Sequence, residues 1–364
     1  MLDRRRRSFA SLLGLSFALM AILLGCKNSS ESAGPAEVGG GPAEAGGGTA
    51  KSYLFCSWNV ENFFDDKNDN RKGPGDKEYD PWYANNPDIL RLKLAKLTEA
   101  LLRMNGGHGP DIIALVEVES VRAAELLKNA LNDKLPRGAI LYREVVMKEL
   151  TAGRHIAPAV ITRLPVTRDR TRLLGKKQRI LQTQITVGGQ DLNLIVAHFT
   201  SRLDAKGSEA RREAYADSIY GAVRAMYANN PNVNVLICGD FNDTPEDISI
   251  TKHLHATGDR KAVLRKPTDG PLLFNLMAGK APATFGTHYH SGWFIFDQIV
   301  VSPAMLNPKG WSCDPDSVTT FKDGLIRAGD KLGRPWKFGS PNEKLPRGYS
   351  DHFPVTVRLK FSGR

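Results

Sequence analysis

At six points along the chain an acid, amide or imidazole stands at or just past the end of an apolar, strand-like run. These are Trp58-Asn59-Val60-Glu61, Val116-Glu117, Ala197-His198, Gly239-Asp240-Phe241-Asn242, Phe296-Asp297 and Ser350-Asp351-His352. Polar groups at the mouths of apolar strands converge on one rim when the strands share a sheet. Taken singly, each has a plain explanation, because Asp or Asn after a strand is commonly a turn former and a lone His commonly a satisfied core or surface residue. As a set they supply carboxylate and amide oxygens, which suit a hard divalent cation, and imidazoles, which move protons near neutral pH.

The elements that must position them are readable from periodicity. Strand-type runs are expected at 52–59, 111–117, 139–147, 156–163, 179–187, 191–198, 234–239, 293–302 and 353–361. Gly188-Gly189 joins two of these as a tight antiparallel hairpin. Apolar residues at three- and four-residue steps predict helices over 88–104, 121–131 and 209–228, covering sheet faces. Segments 65–87 and 307–349 are rich in Gly, Pro and charge and read as surface insertions, where substrate contact often lies. No internal repeat is found, and strand-like and helix-like stretches alternate throughout, which predicts one α/β domain.

Order and local context of these pieces resemble the endonuclease/exonuclease/phosphatase superfamily, the fold family of deoxyribonuclease I, from Lys51 to the C-terminus. The most specific pieces are Trp58-Asn59-Val60-Glu61-Asn62, Gly239-Asp240-Phe241-Asn242 and Ser350-Asp351-His352-Phe353-Pro354. Glu117, His198 and Asp297 support them in order, and a strand ending in Arg163 adds weaker support. The resemblance implies a four-layer sandwich, α/β in class, of two packed mixed β-sheets flanked by helices. It implies phosphodiester hydrolysis, in which charge must be neutralised, water activated and the departing oxygen protonated.

By the same resemblance Glu117 is the main metal ligand, with Asn59 and Glu61 nearby and Asp351 contributing. His352 is the proton-handling group at the phosphate, oriented by Asp297, and Asp240 orients the attacking water or the metal's shell. Asn242 donates to a phosphate oxygen, His198 serves the leaving oxygen, and Arg163 and Arg202 bind substrate. The expected ion is Mg²⁺, with Mn²⁺ as a substitute. One position departs from deoxyribonuclease I: where that enzyme has an arginine entering the minor groove, Glu119 stands here, which argues against minor-groove reading in that style.

The N-terminal stretch is read apart from the fold. Arg4–Arg7 form a basic region, Phe9–Leu24 an apolar run, and Leu23-Leu24-Gly25-Cys26 resembles a bacterial lipobox, so residues 1–26 are expected to be a lipoprotein signal with Cys26 lipidated. Residues 27–50, rich in Gly, Ala, Ser, Glu and Pro, are a flexible tether, and the catalytic domain spans 51–364. The protein is therefore expected outside the cytoplasm, lipid-anchored to a membrane and monomeric. Removing Met1–Cys26, which holds four arginines and one aspartate, lowers the net charge from +11 to +8, still favouring a polyanionic partner.

Cys56, Cys238 and Cys313 lack metal-type spacing and read as buried thiols, a disulfide between two of them being the alternative. Acidic residues 65–78 resemble a Ca²⁺ loop but carry Arg71 and Lys77 where Gly and Glu are needed. A solvated loop is expected, with a structural Ca²⁺ site of other geometry as the alternative. His253, His255, His288 and His290 form two His-x-His pairs without a set that completes a zinc site. The functional expectation is an extracytoplasmic nuclease acting on DNA or RNA. Alternatives are a phosphatase or phospholipase C-type hydrolase of phospholipid, sphingolipid or inositol phosphate head groups, and an inactive binding protein of the same fold.

Overall fold

The computed structural model describes residues 50–151, 153–175, 177–202, 207–265 and 270–363. Cys26, the lipoprotein signal and all of the tether except Ala50 lie outside the described residues. The strands are β1 Lys51–Phe63, β2 Ile112–Val118, β3 Glu144–Met147, β4 Ala157–Thr162, β5 Arg172–Leu173, β6 Ile180–Val187, β7 Gln190–His198 and β8 Val235–Asp240. After them come β9 Ala256–Thr257, β10 Leu273–Asn275, β11 His288–Tyr289, β12 Trp293–Phe294, β13 Asp297–Val301, β14 Gly310–Thr320 and β15 Val355–Ser362. The longer helices are α1 Asp76–Ala84, α2 Pro87–Leu102, α3 Val121–Lys134 and α4 Ser208–Asn229.

Two mixed sheets result, ordered β14-β15-β1-β2-β4-β3 and β5-β6-β7-β8-β13-β10-β9. Period-two alternation sends Phe55, Ala114, Val116, Val355 and Val357 from one sheet and Leu194, Val196, Leu236, Cys238 and Ile299 from the other into a shared core. The outer faces are covered by helices. Leu90, Leu97 and Leu101 of α2 and Leu127 and Leu131 of α3 pack on Cys56, Trp58 and Leu115, while Tyr215, Ile219 and Val223 of α4 pack on Ile195, Ala197 and Ile237. This is the four-layer arrangement that the resemblance implied.

Local chemistry accounts for the connections. Gly188 and Gly189, at φ 55° and 74°, make the two-residue turn that pairs Val187 with Gln190. Gly239 has φ 129°, and a Cβ there would lie 1.9 Å from the Ala197 carbonyl oxygen, so β8 pairs with β7 only because this residue is glycine.

Several expectations need correction. Only the last part of 139–147 is strand, and 293–302 divides into β12 and β13. Both segments read as surface insertions contain regular structure. Residues 65–87 include α1, which buries Tyr83 and Asp76, and 307–349 begins with β14, paired to β15. The Ca²⁺-like loop is a hydrogen-bonded turn, with the Asp80 carboxylate accepting from Asp69 and Arg71 N–H. Cys56, Cys238 and Cys313 are free and buried.

Candidate active site

The alternation that builds the inter-sheet core continues past its apolar part and delivers the polar set. On β1, Phe55 and Ser57 lead to Asn59; on β8, Leu236 and Cys238 lead to Asp240; on β7, Leu194 and Val196 lead to His198; on β13, Val301 and Ile299 lead back to Asp297. Pairing puts these ends together, because His198 registers with Asp240 in parallel and Asp297 with Asp240 antiparallel. In the other sheet β15 begins opposite Ser57, bringing His352 to the C-terminal end of β1.

Glu117 needs a further device. The β2 registers shift between Leu115 and Val118 and between Asn59 and Phe63, and Glu117 sits in this bulge at φ 67°. Glu61, Asn62 and Asn242 also have positive φ, at 52°, 49° and 51°. Four non-glycine residues in this region at one rim mark backbone held away from its preferred wells by the surrounding structure.

The Asn59 amide donates to Glu117 Oε1 at 3.1 Å and to Asp240 Oδ2 at 3.0 Å, tying the two carboxylates together. Glu117 Oε2 also accepts from Asn62 N–H at 2.8 Å, and Asp240 Oδ1 from Asn242 N–H at 2.8 Å. His198 Nε2 lies 3.8 Å from both Glu117 Oε1 and Asp240 Oδ2. His352 Nδ1 meets Asp297 Oδ2 at 2.6 Å, and its Nε2 lies 3.7 Å from Asp240 Oδ2. Its backbone is fixed as well: the carbonyl accepts from Trp58 Nε1, and its N–H donates to Ser350 Oγ, whose hydroxyl donates to Asn59 O.

Burial sets the electrostatics. It pushes Asp240 up to about 7, with the Asp297 charge adding to the effect against the opposing help of His352. Burial, then Arg179, His352 and Arg154, holds His198 well below the usual imidazole range, so that ring is neutral. Burial disfavours charge on His352 too, but the Asp297 and Asp240 carboxylates outweigh it and hold its pKa well above the ordinary value. Among the described residues, buried His198 Nδ1 and Asp297 Oδ1 have no hydrogen-bond partner.

A divalent cation fits this donor set. Two carboxylates held together by one amide, one of them strained toward protonation by burial, lack the positive charge that a hard oxygen-seeking ion would bring. Glu117 and Asp240 are the groups that would hold it.

Not every expected residue serves this place. The Glu61 carboxylate is turned to the 338–339 loop, accepting N–H groups from Phe338 at 2.6 Å and Gly339 at 2.8 Å, and is not joined to the set that the Asn59 amide ties together. The Asn59 oxygen accepts from Glu61 N–H, which leaves Asn59 serving the carboxylates through its NH₂ group. Asp351 sits beside His288 and His352, their ligand-type atoms all within 4.8 Å. Arg202 reaches the rim but donates to Asn242 O at 2.7 Å and pairs with Asp243 and Asp247.

Arg163 lies at the far end of the sheet, because β4 runs antiparallel to β2 and its last residue, Thr162, registers with Ile112. Its guanidinium donates to the carbonyls of His108, Pro110 and Ile140 over the Tyr142 ring, so it is structural. Glu119 is buried against Arg71, and burial raises it to about 7.

Sequence reasoning passed over Lys93, and it took His288 only as part of a His-x-His pair without a zinc set. His288 pairs with His352 in an isolated β-bridge, their rings 4.4 Å apart. Lys93 is fully buried and donates to Glu61 O at 3.2 Å and Tyr349 O at 3.0 Å, clamping the segments that carry Asn59 and Asp351. The signal was present, since Lys93 occupies the buried stripe of α2 between Leu90 and Leu97.

The chain belongs to the Endonuclease/Exonuclease/phosphatase family, whose model matches residues 54–361. Members of this family are phosphoric ester hydrolases and in general depend on a divalent metal. Similar solved structures include truncated TDP2 of Caenorhabditis elegans, at 16% identity and TM-score 0.50 over 85% of this chain and 97% of that one. Sphingomyelinase C of Streptomyces griseocarneus is similar at 14% identity and TM-score 0.50, over 85% of this chain and 99% of that one. At such identities these likenesses speak for the fold. No curated protein matches the chain in sequence.

Proposed function

We propose that the chain is a Mg²⁺-dependent nuclease that hydrolyses phosphodiester bonds of DNA or RNA at the rim formed by Asn59, Glu117, His198, Asp240, Asp297 and His352. The observation that carries the reading is the pairing of a carboxylate couple, Glu117 and Asp240 joined by Asn59, with an Asp297–His352 couple 2.6 Å apart at the same rim. Glu117 and Asp240 would hold Mg²⁺, which would supply charge neutralisation at the phosphate and acidify a water.

The chain's own groups do the rest. Asp297 fixes the His352 ring so that Nε2 faces the site and exchanges a proton with a phosphate or water oxygen. Asp240, 3.7 Å from that nitrogen, orients the attacking water. The Asn242 amide, with one N–H on Phe199 O, offers its other N–H to a phosphate oxygen. The proton lost by the attacking water reaches the departing oxygen through His352 Nε2, so that this oxygen leaves as the alcohol once the P–O bond breaks, while His198, neutral in its buried setting, gives it a hydrogen bond.

Nucleic acid is favoured over head groups by the net charge of +8 without Met1–Cys26. The lipobox-like Leu23-Leu24-Gly25-Cys26 supports lipid anchoring outside the cytoplasm. Cys26→Ser is expected to release the protein from membranes with its activity intact; unchanged membrane fractionation overturns the anchor. The test of function is the full chain with Mg²⁺ against duplex DNA, single-stranded DNA, RNA, sphingomyelin and inositol phosphates. Cleavage of DNA or RNA that EDTA abolishes is expected, and hydrolysis of a head group with nucleic acid untouched overturns the reading.

A further inference from the structure

Residues 321–349 build a wall beside the rim, and it is anchored firmly. Trp336 N–H donates to Leu325 O, Tyr349 N–H to Trp336 O and Gly348 N–H to Lys337 O. The Glu61 carboxylate grips Phe338 and Gly339, and Lys93 grips Tyr349. The wall bounds a cavity of about 360 Å³ whose lining includes Tyr289, Arg327, Arg334, Trp336, Lys337 and Asp351. Asp351 links it to the rim, its carboxylate lying within 4.8 Å of a His352 ring nitrogen. The His288–His352 bridge carries Tyr289 to the other side.

The lining has two chemistries. Arg334 is paired with Asp330 at 2.9 Å and Lys337 with Glu343 at 2.5 Å. Arg327 is exposed and has no side-chain ion pair among the described residues, which leaves a free guanidinium at the cavity. Tyr289 and Trp336 are half-buried, and Trp336 is held at Nε1 by Pro346 O at 3.0 Å, so its ring is fixed. A free guanidinium binds a phosphate, and an aromatic ring held as Trp336 is can stack a base, with Tyr289, which carries the Arg334 guanidinium over its ring at 5.8 Å, beside it. A volume near the lower end of the ~300–1,000 Å³ range for small-ligand sites suits one such unit.

We infer that this cavity is the subsite for the nucleotide next to the scissile phosphate, Arg327 taking its phosphate and Trp336 with Tyr289 its base. The inference rests on the nuclease reading and names how that site holds a polymer. A substrate lacking a neighbouring nucleotide leaves the cavity empty and gains nothing from it.

The experiment compares the full chain with its Arg327→Ala and Arg327→Gln variants under Mg²⁺. The substrates are a labelled oligonucleotide and bis(p-nitrophenyl) phosphate, with melting curves recorded for each protein. Arg327 is exposed, so the variants are expected to melt with the parent. Oligonucleotide kcat/KM should fall about tenfold through KM, and the slope of log affinity against log salt should lessen by about 0.7–0.9. Hydrolysis of bis(p-nitrophenyl) phosphate should stay within about twofold. A Trp336→Leu variant should add a loss of about tenfold on the oligonucleotide alone, as expected for one lost stacking contact.

If the parent hydrolyses the small diester but not the oligonucleotide, the nuclease reading fails and the subsite with it. If the parent cuts the oligonucleotide and both Arg327 variants cut it equally well, the subsite alone is overturned. Equal loss on both substrates also overturns it, because Arg327 would then act at the scissile centre.

Discussion

The two ends of the sheet sandwich are made by the same strands, and the larger cavity is at the end without the acid–imidazole set. About 760 Å³ opens there between the β6–β7 hairpin and the start of β8, lined by Asp191, Asn193, Asn230, Asn232 and Asn234 among others. Its amides satisfy one another's backbone, as when Asn193 Nδ2 donates to Asn234 O and Asn234 Nδ2 to Asp191 O. Arg163, away from the rim at its own sheet's far end, is likewise consumed by main-chain carbonyls. At the other end, Asp240 is pushed up to about 7, two imidazoles are shifted in opposite directions, and four non-glycine residues carry positive φ. Space alone does not mark chemistry; buried charge without full compensation and backbone held under strain do.

Substitutions at the two ends test the contrast. The largest effect is expected at Gly239, where a Cβ meets the Ala197 carbonyl oxygen at 1.9 Å: Gly239→Ala should cost about 3 kcal/mol or more, read from the denaturant midpoint. Next is ion binding. Mg²⁺ at a hundred times its Kd should stabilise the parent by about 2.7 kcal/mol. Glu117→Gln should remove most of that thermal shift, while Asp191→Asn at the opposite end should keep it. Arg163→Ala should follow at about 2 kcal/mol of stability, since it strips partners from buried carbonyls, with kcat unchanged within about twofold. Smallest is Asp297→Asn, with a fall in kcat of about tenfold (about 1.4 kcal/mol), because the ring remains but its orientation is no longer held.

Much of the rim was legible because a strand's period of two is local: Leu236, Cys238 and Asp240 share a face whatever the rest of the chain does. The ring of partners was not legible. Glu61 reads as one more acid of a motif until Phe338, 277 residues on, is seen to donate to it. Arg163 ends a strand of the right kind, but which end of the sheet that is depends on β4 running antiparallel to β2. Asp-Pro-Asp at 314–316 hid β14, which tolerates Pro315 because it is an edge strand with a register shift there. Pro81 hid α1, whose Tyr83 stacks with Phe64 and Phe338.

The most direct test of the rim as the catalytic centre is kcat of His352→Ala at saturating Mg²⁺ on the substrate the panel identifies. A fall of at least ~10²-fold, with the Mg²⁺ requirement little changed and the fold intact, is expected when a positioned proton-transfer group is lost. Turnover near that of the parent would show that the chemistry takes place elsewhere.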